Sequence, residues 1–211
     1  MNISDWISNN YIEVFGAITG IIYVFLEIRQ TIWLWPVGIV TSAVYIWVFF
    51  TGKLYADMSL QVYYLVISLL GWIWWARGAG QTKTGEENEG KVVTSGDPEV
   101  SLLQVTRLKR RTGVILAAVF LMLFAVIWLI LSHFTDSPVP VWDSFITSLS
   151  VVATWMLAKK IFEHWFLWIV VNFVSAVLFL TRGLYPTVIL YTVYAVMSFT
   201  GLAAWRKTIC N

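Results

Sequence analysis

The chain has 211 residues, of which 59% are apolar and 12% are charged, and its formal net charge is +2. Its apolar residues come in blocks of about 20 with few charges inside, which is the pattern of a polytopic membrane protein. A single cysteine, Cys210, excludes an internal disulfide or a cysteine metal cluster. We expect membrane lipid as a partner, and no cofactor, metal or nucleic acid.

Seven apolar segments are long enough to cross a membrane, so the sequence predicts an all-α membrane protein with seven transmembrane helices. These segments are residues 11–28, 31–50, 58–76, 113–132, 141–158, 164–181 and 184–204. An odd number of spans places the termini on opposite sides. Lys53 and Arg182 fall on one side, and every other Lys and Arg falls on the opposite side. The positive-inside rule therefore predicts an outside N-terminus and a cytoplasmic C-terminus.

The third and fourth spans are joined by a polar cytoplasmic connection, residues 77–112. Its first part, GAGQTKTGEENEG, has the composition of a flexible linker. Asp97, Pro98 and Glu99 are suited to the first turn of a helix, which predicts a short amphipathic helix on the inner membrane surface from there to Arg111. The basic run RLKRR at its end is explained most simply as a topology signal.

The halves on either side of this connection resemble each other. WPVGIVTSAV, which begins at Trp35, matches WIVVNFVSAV, which begins at Trp168. The pattern Tyr-x-x-x-Ser-x-x-Gly occurs at both Tyr64 and Tyr194. In this alignment the second half is three residues shorter at the external turn, where a deletion is best tolerated.

This similarity predicts two three-helix repeats, residues 11–76 and 141–204, joined by a linking helix over residues 113–132. Because one helix connects two units of three spans, both units have the same orientation. Such a 3+1+3 arrangement of parallel repeats is used by some transporters.

The sixth predicted span contains the sequence EHWFLWIVVNFVSAVL. At helical periodicity, Trp165, Trp168, Asn172 and Ser175 share one face. Asn172 falls near the middle of the membrane, where an unpaired amide in hydrocarbon costs several kcal/mol. We therefore expect this face to border protein or a cavity, which is where transporters place substrate.

The alignment of the halves gives Asn172 and Trp165 the apolar counterparts Ile39 and Ile32. A repeat with one polar copy suggests a single substrate site between the halves. The alternative for Trp165 and Trp168 is the aromatic belt found at any membrane interface.

Other polar residues within the spans are further candidates for the site: Gln61, Tyr64, Thr147, Tyr191 and Tyr194. Tyr64 and Tyr194 could instead form hydrogen bonds that pack the helices of the repeat. Thr147 could equally donate to a backbone carbonyl of its own helix.

An intramembrane enzyme needs a nucleophile with a base, or metal ligands on facing helices. The two histidines, His133 and His164, lie at span ends, and no HExxH or GxSxG motif occurs, so we expect no enzyme. A proton-coupled carrier needs an ionisable residue near the midplane, and none is predicted there. Glu27, at the inner end of the first span, is expected to pair with Arg29 or Lys160.

The motif Trp-x-x-Trp-x-x-x-Asn at Trp165, Trp168 and Asn172, preceded by Lys-Lys-x-x-Glu, resembles the sixth helix of the PnuC family of bacterial vitamin transporters. LWPVGI at 34–39 and Tyr-Ala-Asp-x-x-x-Gln-x-x-Tyr at 55–64 resemble the second and third helices of the same family. The resemblance covers all seven spans.

The resemblance implies a SWEET-like 3+1+3 fold in the bacterial cytoplasmic (inner) membrane and uptake of nicotinamide riboside by facilitated diffusion. It implies that Trp165, Trp168 and Asn172 line a central site between two three-helix bundles. An intracellular kinase that traps the substrate and a homotrimer are also implied. Many nicotinamide riboside carriers have Gln where this chain has Thr154, and relatives carry thiamine or riboflavin, so a thiamine transporter is the alternative.

Both leading substrates hold a permanently cationic aromatic ring. Indole faces attract such a ring by stacking and by cation–π interaction, each worth about 0.5–2 kcal/mol. A neutral amide can bind a ribose hydroxyl or a carboxamide without the desolvation cost of a buried carboxylate. The residues of the sixth span therefore suit a cationic vitamin on physical grounds.

Overall fold

The computed structural model describes residues 11–51, 55–78, 104–135 and 138–209. These residues form seven α-helices and no β-strand: α1 Tyr11–Ile28, α2 Leu34–Thr51, α3 Tyr55–Gly78, α4 Arg110–Phe134, α5 Pro140–Ala158, α6 His164–Thr181 and α7 Tyr185–Arg206. Helices α2 to α7 are apolar and long enough to cross a membrane, and the apolar part of α1, Val14–Ile28, is shorter. The predicted all-helical architecture is confirmed.

Six of the helices pack in a closed ring. Helix α1 packs on α2, α2 on α3, α3 on α5, α5 on α6, α6 on α7, and α7 returns to α1. Among the described helices α4 packs on α5 alone, and it carries no buried residue. Helix α4 is therefore peripheral, and its apolar surface is available to lipid.

Two pairs of tryptophans build the core at one end of the ring. Trp35 meets Trp75 edge to face, with ring centroids 5.3 Å apart and an interplanar angle of 90°. Trp165 meets Trp205 in the same way, at 5.8 Å and 82°. All four side chains are fully buried, so they anchor the ends of α3 and α7 to the starts of α2 and α6.

Each tryptophan of the second pair follows its counterpart in the first pair by the same number of residues, and this spacing also relates other matching features of the two halves. The first tryptophan of each pair lies against a glycine, Gly71 in α3 and Gly201 in α7, where an added Cβ would overlap the indole ring. The turn before each pair contains a residue with positive φ, Gln30 at 54° and Lys160 at 50°. The same packing and the same turn therefore occur in each half.

The alignment predicted from the sequence is wrong in register for the second and sixth helices. The predicted alignment shifted α2 against α6 by three residues. With the spacing that relates Trp35 to Trp165, Gly38 is equivalent to Trp168 and Ser42 is equivalent to Asn172. The connections α2–α3 and α6–α7 have equal lengths, so there is no deletion. Apolar residues interchange freely on lipid-facing surfaces, and matching letters there carry little information about register.

The segment before α4 is extended rather than helical over 104–109, so the predicted amphipathic helix is wrong there. The earlier part of that prediction, beginning at Asp97, lies outside the described residues. Three hydrogen bonds join the extended segment to the α5–α6 connection: Thr106 N–H to Lys160 O (3.0 Å), Phe162 N–H to Thr106 O (2.9 Å) and Leu108 N–H to Glu163 Oε2 (2.8 Å). In a helix these backbone groups would bond within the segment instead, so the three hydrogen bonds favour the extended conformation. They also attach the segment to the start of α6.

We predict that Gly201→Ala and Gly71→Ala each lower the stability of the detergent-solubilised protein by about 1–3 kcal/mol, because the new methyl group displaces a buried indole ring. The measurement is the thermal midpoint followed by size-exclusion chromatography after heating. Gly113→Ala is the matched control, since the nearest atom to its Cβ would be a flexible Leu108 carbon at 3.4 Å. Equal midpoints for all three variants would contradict the packing account.

A central cavity as the candidate functional site

A cavity of about 740 Å³ lies inside the helix ring. Every ring helix contributes to its wall, and α4 contributes none. The wall extends from Val14 and Pro186, near the starts of α1 and α7, to Glu27 and Trp165 at the opposite end of the ring. The cavity therefore follows most of the length of the bundle.

The residues predicted for the site, with one exception, line this cavity: Gln61, Tyr64, Trp165, Trp168, Asn172, Tyr191 and Tyr194. The exception is Thr147, which does not contribute to the wall. Helix α5 instead presents Ile146, Ser150 and Thr154, which recur every fourth residue on one face. Thr147 is turned by about 100° from Ile146 around the helix, so placing it in the cavity is wrong.

Sequence reasoning missed the contribution of α1. Gly16, Gly20, Tyr23 and Glu27 all line the cavity. Tyrosine hydroxyls from α2 and α7 lie where Cβ atoms on the two glycines would be, so the glycines admit those side chains. Spacings of four, three and four residues are those of one helical face, and this pattern was available in the sequence.

The amide of Asn172 is held in one orientation by two hydrogen bonds. Its Nδ2 donates to Ser198 Oγ at 3.1 Å, and Ser198 Oγ donates to the Tyr194 carbonyl at 2.8 Å. A carbonyl can only accept, so the single hydroxyl hydrogen of Ser198 is already committed. The amide nitrogen must therefore face Ser198, which leaves the carbonyl oxygen of Asn172 for other donors.

The indole N–H groups of Trp165 and Trp168 are buried and have no hydrogen-bond partner within the described residues. Buried donors are nearly always paired, so an unpaired donor on a cavity wall is a candidate for contact with a ligand. Trp165 is 1% exposed and packs against Trp205, which rules out the aromatic-belt interpretation for this residue. The wall of α6 therefore offers two donors and one acceptor.

The corrected register shows where the two halves of the cavity differ. Trp168 and Asn172 on α6 correspond to Gly38 and Ser42 on α2, and all four residues line the cavity. The α6 wall therefore carries an indole ring and an amide, whereas the α2 wall carries a glycine and a serine hydroxyl at the same positions. The predicted correspondence of Asn172 and Trp165 with Ile39 and Ile32 is therefore wrong.

A buried glutamate–histidine pair lies at the end of the cavity. Glu27 Oε1 is 3.0 Å from His164 Nε2, and the two side chains are 3% and 0% exposed. The predicted pairing of Glu27 with Arg29 or Lys160 is wrong. Those two cations instead lie over aromatic rings, Arg29 at 5.2 Å and Lys160 at 4.2 Å from the ring centroids.

Apolar helices long enough to span a membrane, arranged around a polar and aromatic cavity, define the chain as a multi-pass membrane protein with a small-molecule site. The sequence model of the nicotinamide mononucleotide transporter family matches residues 10–207. The chain therefore belongs to this family, the PnuC family of transporters, and the predicted membership is confirmed. It is a transporter rather than an enzyme.

The chain is similar to relatives with several named substrates. The nicotinamide riboside transporter PnuC of Escherichia coli (strain K12) is 26% identical over 207 residues, covering 93% of this chain and 85% of that protein. PnuC of Neisseria mucosa is 26% identical over 210 residues, covering 95% and 74%. The riboflavin/roseoflavin transporter RibM of Streptomyces davaonensis is 25% identical over 193 residues, covering 92% and 83%.

The fold is also similar to a solved structure. The crystal structure of the vitamin B3 transporter PnuC superposes with a TM-score of 0.68 over 95% of this chain and 83% of that chain. The TM-score establishes that the two chains share a fold, although their sequences are only 24% identical.

We predict that Asn172 and Ser198 are energetically coupled. Ser198→Ala strands a buried amide donor and should cost about 1–3 kcal/mol, whereas Asn172→Leu combined with Ser198→Ala removes both polar groups and should cost less than the sum of the single changes. The measurement is a double-mutant cycle of unfolding in detergent. Strict additivity would show that the hydrogen bond does not fix the amide.

Proposed function

We propose that this protein is a carrier of the bacterial inner membrane that takes up nicotinamide riboside by facilitated diffusion through the central cavity. The relatives from E. coli and N. mucosa are named as nicotinamide riboside transporters. The volume of about 740 Å³ falls within the usual range for small-molecule sites.

The observation that carries the proposal is the wall formed by Trp165, Trp168 and Asn172 on α6. The indole faces suit a cationic pyridinium ring, and each such contact is worth about 0.5–2 kcal/mol. The carbonyl oxygen of Asn172, turned away from Ser198, can accept from a carboxamide or a ribose hydroxyl. These contacts give modest affinity, which suits a carrier that must release its substrate.

Thiamine is the second candidate, because it also presents a cationic aromatic ring. Thr154 lines the cavity. The resemblance implies Gln at this position in many nicotinamide riboside carriers, so Thr154 counts against the riboside. The Thr154 hydroxyl already donates to Ser150 O at 2.8 Å, so it can offer a ligand only an acceptor. RibM, which is named for riboflavin and roseoflavin, shows that substrates differ among relatives of this chain.

Facilitated diffusion is supported by the small number of ionisable groups on the cavity wall. Among the described lining residues, Glu27 is the one carboxylate, and it is hydrogen-bonded to His164. No second carboxylate of the described wall is therefore available to carry a proton with the substrate. Phosphorylation by an intracellular kinase would then retain the vitamin in the cell.

We further propose a 3+1+3 SWEET-like arrangement with repeats at 11–76 and 141–204, linked by residues 77–112 and the helix over 113–132. The common spacing of the two tryptophan pairs and the peripheral position of α4 support it. The basic end of the ring, which holds the tryptophan core, would face the cytoplasm, with the N-terminus outside. Lipid, or neighbouring copies in a homotrimer, would cover the exposed side of α4.

We predict that purified protein binds nicotinamide riboside, and that Trp168→Ala and Asn172→Ala each reduce binding and uptake by about tenfold or more, because each removes a contact of roughly 1–2 kcal/mol. Calorimetric titration with nicotinamide riboside, thiamine and riboflavin measures this. Trp47→Ala is the control, since Trp47 is 69% exposed and lies outside the cavity wall. Tight binding of thiamine alone would move the protein to the second candidate.

We predict that a proton gradient does not drive accumulation of unmodified substrate in vesicles, because Glu27, the one carboxylate among the described lining residues, is already engaged by His164. The measurement is the equilibrium ratio of labelled substrate across the membrane, with and without a protonophore. A ratio that rises with the gradient and collapses on adding the protonophore would show proton coupling and contradict facilitated diffusion.

A further inference from the structure

The Glu27–His164 pair shares a single proton. His164 Nδ1 is 2.7 Å from the Ile161 carbonyl, which can only accept, so Nδ1 carries hydrogen. Nε2 then either donates to an ionised Glu27 or accepts from a protonated one, at 3.0 Å. In either arrangement one hydrogen lies between the carboxyl group and the imidazole.

The positions equivalent to Glu27 and His164 are apolar and, like that pair, come one from each half of the chain. The turn after α1 and the turn after α5 have the same hydrogen bond, from Gln30 N–H to Glu27 O at 3.0 Å and from Lys160 N–H to Leu157 O at 2.8 Å. Leu157 is thus the counterpart of Glu27, and by the same spacing Leu34 is the counterpart of His164. Both leucines are fully buried in one apolar cluster.

At the equivalent positions the fold accommodates two buried leucines, Leu34 and Leu157, so helix packing does not by itself require an ionisable pair at Glu27 and His164. Burying two ionisable groups costs desolvation energy that an apolar pair avoids, and buried ion pairs are weak evidence of stabilisation. The ionic pair therefore has a use other than packing.

The pair is oriented with its carboxylate toward the cavity. Glu27 lines the cavity wall, whereas His164 does not. The imidazole lies behind the carboxylate, with its ring centroid 4.7 Å from those of Trp165 and Trp205. Trp165, which also lines the cavity, is therefore adjacent to the pair. A ligand ring bound against this tryptophan would lie close to the carboxylate of Glu27.

We propose that Glu27 is the specificity-determining residue that selects a cationic ring over a neutral one of the same shape, and that His164 positions it. This inference rests on the proposed function, since it names the charge that the same cavity recognises. The carboxylate of Glu27 attracts a cationic ring and has no such attraction for a neutral ring of the same shape.

The test uses two probes, nicotinamide riboside and its neutral isostere in which carbon replaces the cationic ring nitrogen. Glu27→Gln keeps a donor for His164 Nε2 and removes the carboxylate. We expect it to weaken binding of the cation roughly tenfold or more while changing affinity for the isostere less than about threefold. Asp143→Asn is the control, because it removes a carboxylate that does not line the cavity.

A second variant tests the proposal in a protein that keeps its helix packing. Glu27→Leu with His164→Leu places leucines at both positions, as the fold already does at Leu157 and Leu34, so it should insert and fold, and should lose the preference for the cation. His164→Leu alone should shift the ratio of the two affinities in the same direction. A wild-type ratio in Glu27→Gln, or an equal loss of both probes, overturns the inference. Wild-type protein that binds neither probe instead overturns the proposed function.

Discussion

The structure depends on one contact that occurs in each half of the chain. A tryptophan at the start of the second helix of the half packs its indole ring against a glycine in the third helix. Gly201 lets the Trp165 ring approach α7 closely, and Gly71 does the same for Trp35 against α3. A side chain at either glycine would push two helices apart in a region where interiors are close-packed. These contacts fix the register of α6 against α7, and with it the height at which Asn172 reaches Ser198.

The site follows from making the two halves unequal on a common frame. At equivalent positions α2 has glycine and serine where α6 has tryptophan and asparagine, and the buried Leu157 and Leu34 correspond to Glu27 and His164. Each substitution adds a group that can bind a ligand without changing the helix packing that supports it. A duplicated scaffold can therefore carry one asymmetric binding site.

The helices and most of the site could be predicted from the sequence, but the register of the repeat could not. Long apolar segments define spans by length alone, and α6 revealed its polar face through helical periodicity. The alignment failed because a tryptophan, a serine and several valine and alanine residues match by chance three residues out of register. The informative Trp–Gly contacts join residues far apart in sequence. The Glu27–His164 pair was missed for the same reason, since only folding brings α1 and the start of α6 together.

The most direct test of the account is the structure of the protein with nicotinamide riboside bound. We predict that the pyridinium ring lies against Trp165 and Trp168, that Asn172 Oδ1 accepts from the carboxamide or the ribose, and that Glu27 faces the ring. A ligand bound outside the helix ring, or bound inside it without contact with α6, would contradict the central claim.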